Sequence, residues 1–448
     1  MGGTDGQAHL GKWWLPERPN RRVFGVLSAS PDERTLSLAG RLAAEAGDAL
    51  VIRGCTRDGQ PATLLNCICL TQAPSWSALY GTSEAQEFAV GTILLGGRAR
   101  AGLRTKFRFA SAVFSGLPGF VAYRPFGTLD AARDDLRTIR IEGTRETHVQ
   151  HGDVDITLSV GAAESWSPAS ASLEARSRFD LRGRRPRTLD EWERDYLWPI
   201  ATLVSLALGR ASWVSGLTVL VSGTPLAHMR VGEPVPWITV LRGEPLTGPP
   251  GSGAGPPLFT LSDDVDLEDM LPRWLDAYRE LRLPLNLYFT TMFAPFMYSE
   301  SRFLNLVQAA EGYHRARFPG RRSEDPLVHV ERLASIFGSI DDRKNRAWLA
   351  GRLGNHSNEP SLRQRLGDLA KLARGQGLKM TGREAQSFAY SVKNARDELS
   401  HGGFGERKTL HGDYVKMEQQ LKRVLQACWL SELGLSGDVS AEMLNRWV

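Results

Sequence analysis

The sequence predicts an α+β chain of two parts, a β-rich domain of sandwich- or barrel-like type over residues 1–257 and an all-α helical bundle over residues 258–448. Three observations carry that expectation. Up to about Asp180 the apolar residues come in short β-branched or aromatic runs broken by turn residues. From Gly243 to Pro257 the chain reads GEPLTGPPGSGAGPP, a composition that suits neither helix nor strand interiors and marks a linker or exposed loop. Beyond it, apolar residues recur at intervals of three and four.

In the first part, strands are expected at Val23–Leu27, Leu50–Ile52, Thr63–Leu70, Glu87–Leu95, Phe107–Phe114, Thr138–Glu142 and Val154–Val160. Asp58-Gly59, Gly96-Gly97 and His151-Gly152-Asp153 punctuate them as turns between antiparallel partners. A helix starts near Thr188, with Glu191 three residues on as a capping box. Two more strands follow at Leu217–Val221 and Trp237–Leu241. In the second part, helices are expected at Asp266–Leu281, Ser301–Arg317, Pro326–Phe337, Asp341–Leu353, Ser361–Arg374, Gly382–Ser400 and Gly412–Leu433. Short loops between them make an antiparallel bundle.

A chain of 448 residues is too long for one ordinary core, which agrees with two domains. The net charge is +5 and the basic side chains are 46 Arg against 9 Lys, a skew that a GC-rich genome also produces. Charge therefore fits a nucleic-acid partner without singling one out. Cys55, Cys67, Cys69 and Cys428 lack zinc-ligand spacing, so a reduced protein with no structural metal and no cofactor is expected. The opening MGGTDGQAHLGKWW has no apolar core of a signal peptide. The longest apolar stretch, Leu197 to Gly209, contains Pro199 and falls short of the ~18–20 residues a membrane span needs. A cytoplasmic protein with no membrane contact is the expectation.

The chemistry is concentrated at Arg396-Asp397-Glu398-Leu399-Ser400-His401, where a long amphipathic helix stops before Gly402-Gly403. Phe388, Val392, Ala395 and Leu399 form the apolar face of that helix, and Arg396 lies one step from it, able to present its head to solvent. A guanidinium donates two parallel hydrogen bonds to phosphate oxygens and stays charged. An imidazole with an ordinary pKa near ~6.5 gives or takes a proton at neutral pH. RNA supplies its own nucleophile, the 2′-hydroxyl. Together they predict metal-independent RNA cleavage, with His401 moving the proton and Arg396 stabilising charge on the phosphoryl oxygens.

With 46 Arg and 9 His, chance alone yields ~1 such spacing, so the place of the pair matters more than the spacing. Looser pairs, Arg145 with His151 and Arg322 with His329, fall in a strand-and-turn region and across Pro326. Basic side chains at a helix C-terminus also offset the macrodipole, and on pattern alone both readings stand. A competing class is a binding module in which the same pair recognises RNA or protein without catalysis. A toxin-like subunit restrained by a separate antitoxin is a third.

The helical half resembles a HEPN domain, the ribonuclease superfamily marked by Arg, a polar residue, a few variable positions and His; Asp397 stands at the polar position. The run Phe303 to Arg315 (FLNLVQAAEGYHR), the run Ser361 to Leu366 (SLRQRL) and Arg396 to Gly402 together resemble the ApeA-like HEPN proteins of bacterial phage defence. Residues 1 to about 255 are similar to the domain that precedes that module. The resemblance implies a sensor or specificity domain ahead of a ribonuclease that acts in abortive infection, with RNA, host RNA above all, as substrate and a phage-derived trigger. It also implies a homodimer that brings two Arg/His sets into one cleft. Some HEPN ribonucleases carry a Tyr two residues after the His, where this chain has Gly403.

Glu311 and His314, three apart on one helix, are candidates to support the catalytic pair, a carboxylate orienting an imidazole; a buried polar pair satisfied by backbone is the plainer alternative. Arg98, Arg100, Arg104, Lys106 and Arg108, with Phe107 and Phe109 interleaved, are candidates for RNA binding, although the same alternation describes a half-buried strand. Gly6 to Lys12 matches part of a phosphate-binding loop, but Trp13 replaces the Ser or Thr that holds magnesium. No Ser has Gly two residues away on both sides, which removes a hydrolase nucleophile elbow.

Overall fold

In the computed structural model, residues 7–30, 33–42, 49–77, 81–97, 104–123, 125–129, 138–221, 236–243, 256–262, 265–294, 296–353, 357–401 and 411–445 are described. Six strands close a barrel: β1 (Gln7–Trp14), β2 (Val23–Ala29), β3 (Arg34–Leu38), β4 (Leu50–Thr56), β5 (Pro61–Ser77) and β6 (Gly81–Gly96), in the order β6-β3-β2-β1-β4-β5 and back to β6. Every pairing is antiparallel. Leu27, Leu36, Ile52, Leu64, Phe88 and Ile93 alternate inward and are fully buried, as a closed small barrel requires.

The largest barrel side chain is Trp13, which makes β1 a core strand and disposes of the phosphate-loop look-alike. Trp13 faces Gly54 on β4, and a Cβ on Gly54 would sit 2.2 Å from the indole ring. The indole N–H donates to the Gly25 carbonyl at 3.3 Å. Space for the indole thus depends on glycine beneath it. Gly54→Val is expected to destabilise the chain by ~1–3 kcal/mol through overpacking, read as a lower urea midpoint with an altered near-UV tryptophan signal. An unchanged midpoint would show that the barrel relaxes around the indole.

Strand β6 joins the barrel to a second group of strands. One edge follows β5, while the other pairs with β3 through Gln86–Ala89 and with β14 (Ile238–Arg242) through Thr92–Gly96. The sheet continues as β14-β13-β7-β12-β11-β10, where β7 is Phe107–Phe114, β10 Arg145–His151, β11 Val154–Ser167, β12 Ser170–Arg187 and β13 Val214–Val221. A separate hairpin pairs β8 (Phe126–Leu129) with β9 (Thr138–Ile141). The short α1 (Leu117–Phe120) and α2 (Leu189–Trp192) precede α3 (Trp198–Leu208). The predicted capping box is present, Thr188 accepting from the Glu191 N–H and Glu191 accepting from the Thr188 N–H.

Pro199 has no N–H to donate. Just ahead of it the chain widens into a π turn, Glu193–Leu197, whose last bond runs from the Trp198 N–H to the Glu193 carbonyl. Pro199 through Leu208 are all buried, so the apolar stretch of the sequence is an inner helix of this unit. Among the described residues, no helix is long and apolar enough to cross a membrane.

The chain divides into two units, Met1–Leu275 and Asp276–Val448, within helix α4 (Leu267–Glu280). That lies beyond the expected boundary at 257, because Leu258, Phe259, Leu271 and Trp274 are buried in the first unit. The Phe259 N–H donates to Ala207, the Leu261 N–H to Phe120 and the Trp274 indole to the Pro199 carbonyl. Most of the Gly/Pro segment, 244–255, lies outside the described residues.

Among the described residues of the second unit, the named elements are all helices: α5 (Arg282–Phe293), α6 (Ser299–Arg317), α7 (Pro326–Gly338), α8 (Arg343–Leu353), α9 (Leu362–Gly375), α10 (Gly382–His401), α11 (His411–Glu432) and α12 (Gly437–Asn445). Its core is aromatic. Tyr313 and Tyr288 meet Trp429 edge-on, and Phe303 meets Tyr414, which aligns α6 and α11 along their length. Arg317 closes one end of that pair with a two-point grip on Glu432. Helices α7 and α8 carry no buried residue.

Candidate functional site

The Arg/His pair sits where α10 ends. Ala385, Phe388, Ala389, Val392 and Ala395 are buried, which turns the next positions toward the rim of the bundle. Arg396 is 35% exposed at its side chain. Its Nη1 donates to Asp397 Oδ1 at 3.2 Å, and Lys393 Nζ donates to the other oxygen, Oδ2, at 2.8 Å. Asp397 therefore clamps two cations. The Lys393 ammonium, and after it the Arg396 guanidinium, hold the Asp397 carboxyl below its ordinary pKa against the opposing effect of burial. Among the described residues Arg396 makes no other hydrogen bond, so most of its guanidinium fork is available to an anion.

His401 is the last residue of α10, and its side chain lies outside the described residues. The helix stays wound as far as His401, so the backbone climbs ~7.5 Å and turns ~140° from position 396. The Cα positions of Arg396 and His401 are thus well separated around the helix axis, with that of Asp397 between them.

Of the supporting candidates, His314 is buried in a network of its own. Arg365 Nη1 lies 3.2 Å from His314 Nδ1, and because arginine only donates, Nδ1 accepts and Nε2 carries the proton. Nε2 then donates to Asp368 Oδ2 at 3.1 Å. The ring stacks on Phe318 with centroids 4.7 Å apart. Arg365 also donates to the Pro360 carbonyl at 3.0 Å and to Glu359 at 2.9 Å, and Arg321 donates to Asp368 at 3.0 Å. The carboxylate that orients His314 is Asp368 of α9, not Glu311, which is half-buried on α6.

Burial pushes the His314 imidazole below its ordinary pKa, with Asp368 acting the other way and Arg365 adding to the depression. Burial works to raise the Asp368 carboxyl, but hydrogen bonds from Arg321 and His314 outweigh it and leave the group below its usual value. The result is a neutral imidazole locked between fixed partners, an arrangement that ties α6 to α9.

Arg98 and Arg100 lie outside the described residues, while Arg104, Lys106 and Arg108 are exposed in the first unit. Phe107 is buried and its carbonyl accepts the Trp192 indole N–H at 3.0 Å. Phe109 is half-buried beneath the Arg182 guanidinium, and Arg108 reaches the Arg184 carbonyl. The register of β7 shifts at Arg108, which sets Phe107 and Phe109 on opposite faces of the sheet, so the run is not the evenly alternating half-buried strand its sequence suggests. Of the looser pairs, His329 is held by Glu324 and Ser357.

Sequence reasoning passed over Lys393 and Asp368. The first carried a signal, a Lys and an Asp four apart on one helix. Asp368 is contributed by a helix 54 residues from His314, and no local spacing announces it.

A family model for ApeA N-terminal domain 1 matches residues 8–274, and one for Apea-like HEPN matches residues 304–439. No curated protein and no solved structure matches the chain. The first match covers the barrel, its attached strands and α3; the second runs from α6 into α12 and contains His314, Asp368, Lys393 and the whole of Arg396 to His401. The chain therefore belongs to the ApeA-like HEPN proteins, which join an ApeA N-terminal domain to an Apea-like HEPN domain.

Proposed function

We propose that the protein is a metal-independent endoribonuclease of a bacterial anti-phage system of the abortive-infection type. The observation that carries this reading is the half-exposed Arg396, clamped by Asp397 at the end of a helix whose last residue is His401, inside the Apea-like HEPN match. His401 takes the proton of a 2′-hydroxyl as its oxygen attacks the neighbouring phosphorus. Arg396 neutralises the charge that builds on the non-bridging oxygens. The bond to the 5′-oxygen breaks, that oxygen takes up a proton, and the products are a 2′,3′-cyclic phosphate and a 5′-hydroxyl.

Membership of the Apea-like HEPN family implies a second copy whose own Arg/His pair would share one cleft with the first. This supports a homodimer through the helical unit. The first unit then serves as the sensor of a phage-derived trigger, and host RNA is the target.

The test is RNA-end chemistry. RNA from cells expressing the wild-type chain should carry 2′,3′-cyclic phosphate ends, and purified protein should cleave in excess EDTA. His401→Ala should lower the cleavage rate ~100-fold or more. Loss of activity in EDTA, or full activity of His401→Ala, would remove the scheme and favour a bundle that only binds.

A further inference from the structure

Tyr390, Lys393, Asp397 and His401 follow one another at spacings of three, four and four along α10, so their Cα atoms share one face of the helix. Tyr390 is 55% exposed, between the buried Ala389 and Val392. Arg363 of α9 lies over its ring, the guanidinium carbon 5.5 Å from the centroid, which covers part of the ring and steadies its orientation. Lys393 and Arg396 end on the two oxygens of Asp397. Three cations against one carboxylate leave this face positive.

We infer that this face of α10 is a track for single-stranded RNA, with a base stacked on Tyr390 and the following phosphates held by Lys393 and Arg396. The inference rests on the ribonuclease reading and names the substrate form and its neighbouring subsite. From Tyr390 to Arg396 the helix climbs ~9 Å, room for two or three nucleotides at the ~3.4 Å rise of a stacked strand. An aromatic ring beside cations is the combination that binds single strands without reading sequence. A protein partner fits less well, since the positions one turn before and after Tyr390 on α10 are polar, Gln386, Ser387, Lys393 and Asn394, and offer no apolar patch. A duplex keeps its bases stacked inside and offers the ring no face.

The test uses the full chain and a short fluorescent 2′-O-methyl oligonucleotide, which binds as RNA but lacks the nucleophile and survives. Tyr390→Ala and Arg363→Ala are each expected to raise its Kd by about fivefold or more, and Tyr390→Trp to leave it equal or tighter. The matching duplex should bind more weakly than the single strand. Tyr390 is exposed, so thermal unfolding of Tyr390→Ala should match wild type. Unchanged affinity in both alanine variants, no binding of the single strand, or a duplex bound as tightly would overturn the track. Cleavage of unmodified RNA, measured in parallel, separates the two ideas: active enzyme with unaltered binding in the variants overturns the track alone. Binding that falls in both variants while the wild type cleaves nothing supports the track and removes the Arg/His chemistry.

Discussion

Arg396→Ala is expected to lower kcat/KM for RNA cleavage by about a hundredfold or more, ~3 kcal/mol of transition-state stabilisation. The loss should fall mainly on kcat, because the guanidinium meets most charge when the phosphorus carries five oxygens. Arg396→Lys should recover little, since a lysine offers a point charge where a planar fork is needed. The clamp sharpens the expectation. Asp397 holds one nitrogen of Arg396 at 3.2 Å and leaves the rest of the fork unclaimed by described groups, so the cation is positioned before substrate arrives. Asp397→Asn keeps the shape but weakens the grip on Lys393 and Arg396, and should reduce the rate less than loss of the arginine itself. Single-turnover cleavage of a defined RNA by the variants decides it, and an Arg396→Ala protein as fast as wild type would sink the assignment.

The largest stability effect is expected at Arg365. Its side chain is 6% exposed and serves His314, Pro360 and Glu359 at once. Arg365→Met should cost ~3 kcal/mol, the lower end for breaking a buried ion pair, because Glu359 is a third exposed and regains water. The same network makes stability depend on pH. The folded pKa of His314 lies below its unfolded value near ~6.5, so on acidification the unfolded chain binds the proton first. The contribution of the neutral imidazole is complete above ~6.5 and erodes as pH falls below it toward the folded pKa. Asp368, whose carboxyl is also depressed, adds a loss at more acid pH, below its usual ~3.9. His314→Gln keeps an acceptor for Arg365 and a donor for Asp368, and should flatten the first part of this profile. Urea unfolding across pH 5 to 8, at intervals of about half a unit, measures the cost of Arg365→Met and the His314 part of the profile. A wild-type midpoint that does not fall over this range would show that His314 titrates normally.

The helical half was largely legible as pattern. The helices expected at Pro326–Phe337 and Ser361–Arg374 stand at Pro326–Gly338 and Leu362–Gly375, with Asp325 and Ser361 as their N-caps. The last turn of α10 was legible too, since Arg396 and His401 are close in sequence. The β half was harder. Strand β12 is rich in arginine, and only its pairing with β7 and β11 shows that Phe179 and Leu181 face inward. Strand β1 holds Trp13 in the barrel core, yet Gly11 and Lys12 give its sequence the look of a phosphate loop. The strand expected at Thr138–Glu142 is β9, while its 4-residue partner β8 and the short α12 lie near the length at which periodicity carries a signal.

By itself the sequence determined the two-part α+β order, the Thr188–Glu191 capping box and the adjacency of Arg396, Asp397 and His401, because periods, caps and i, i+4 spacings are properties of neighbours along the chain. Tertiary structure alone decided that β6 serves both barrel and outer sheet, that Asp368 rather than Glu311 orients His314, and that Arg363 meets Tyr390. These are meetings of residues from separate elements, set by how helices and strands pack, and no local spacing records them.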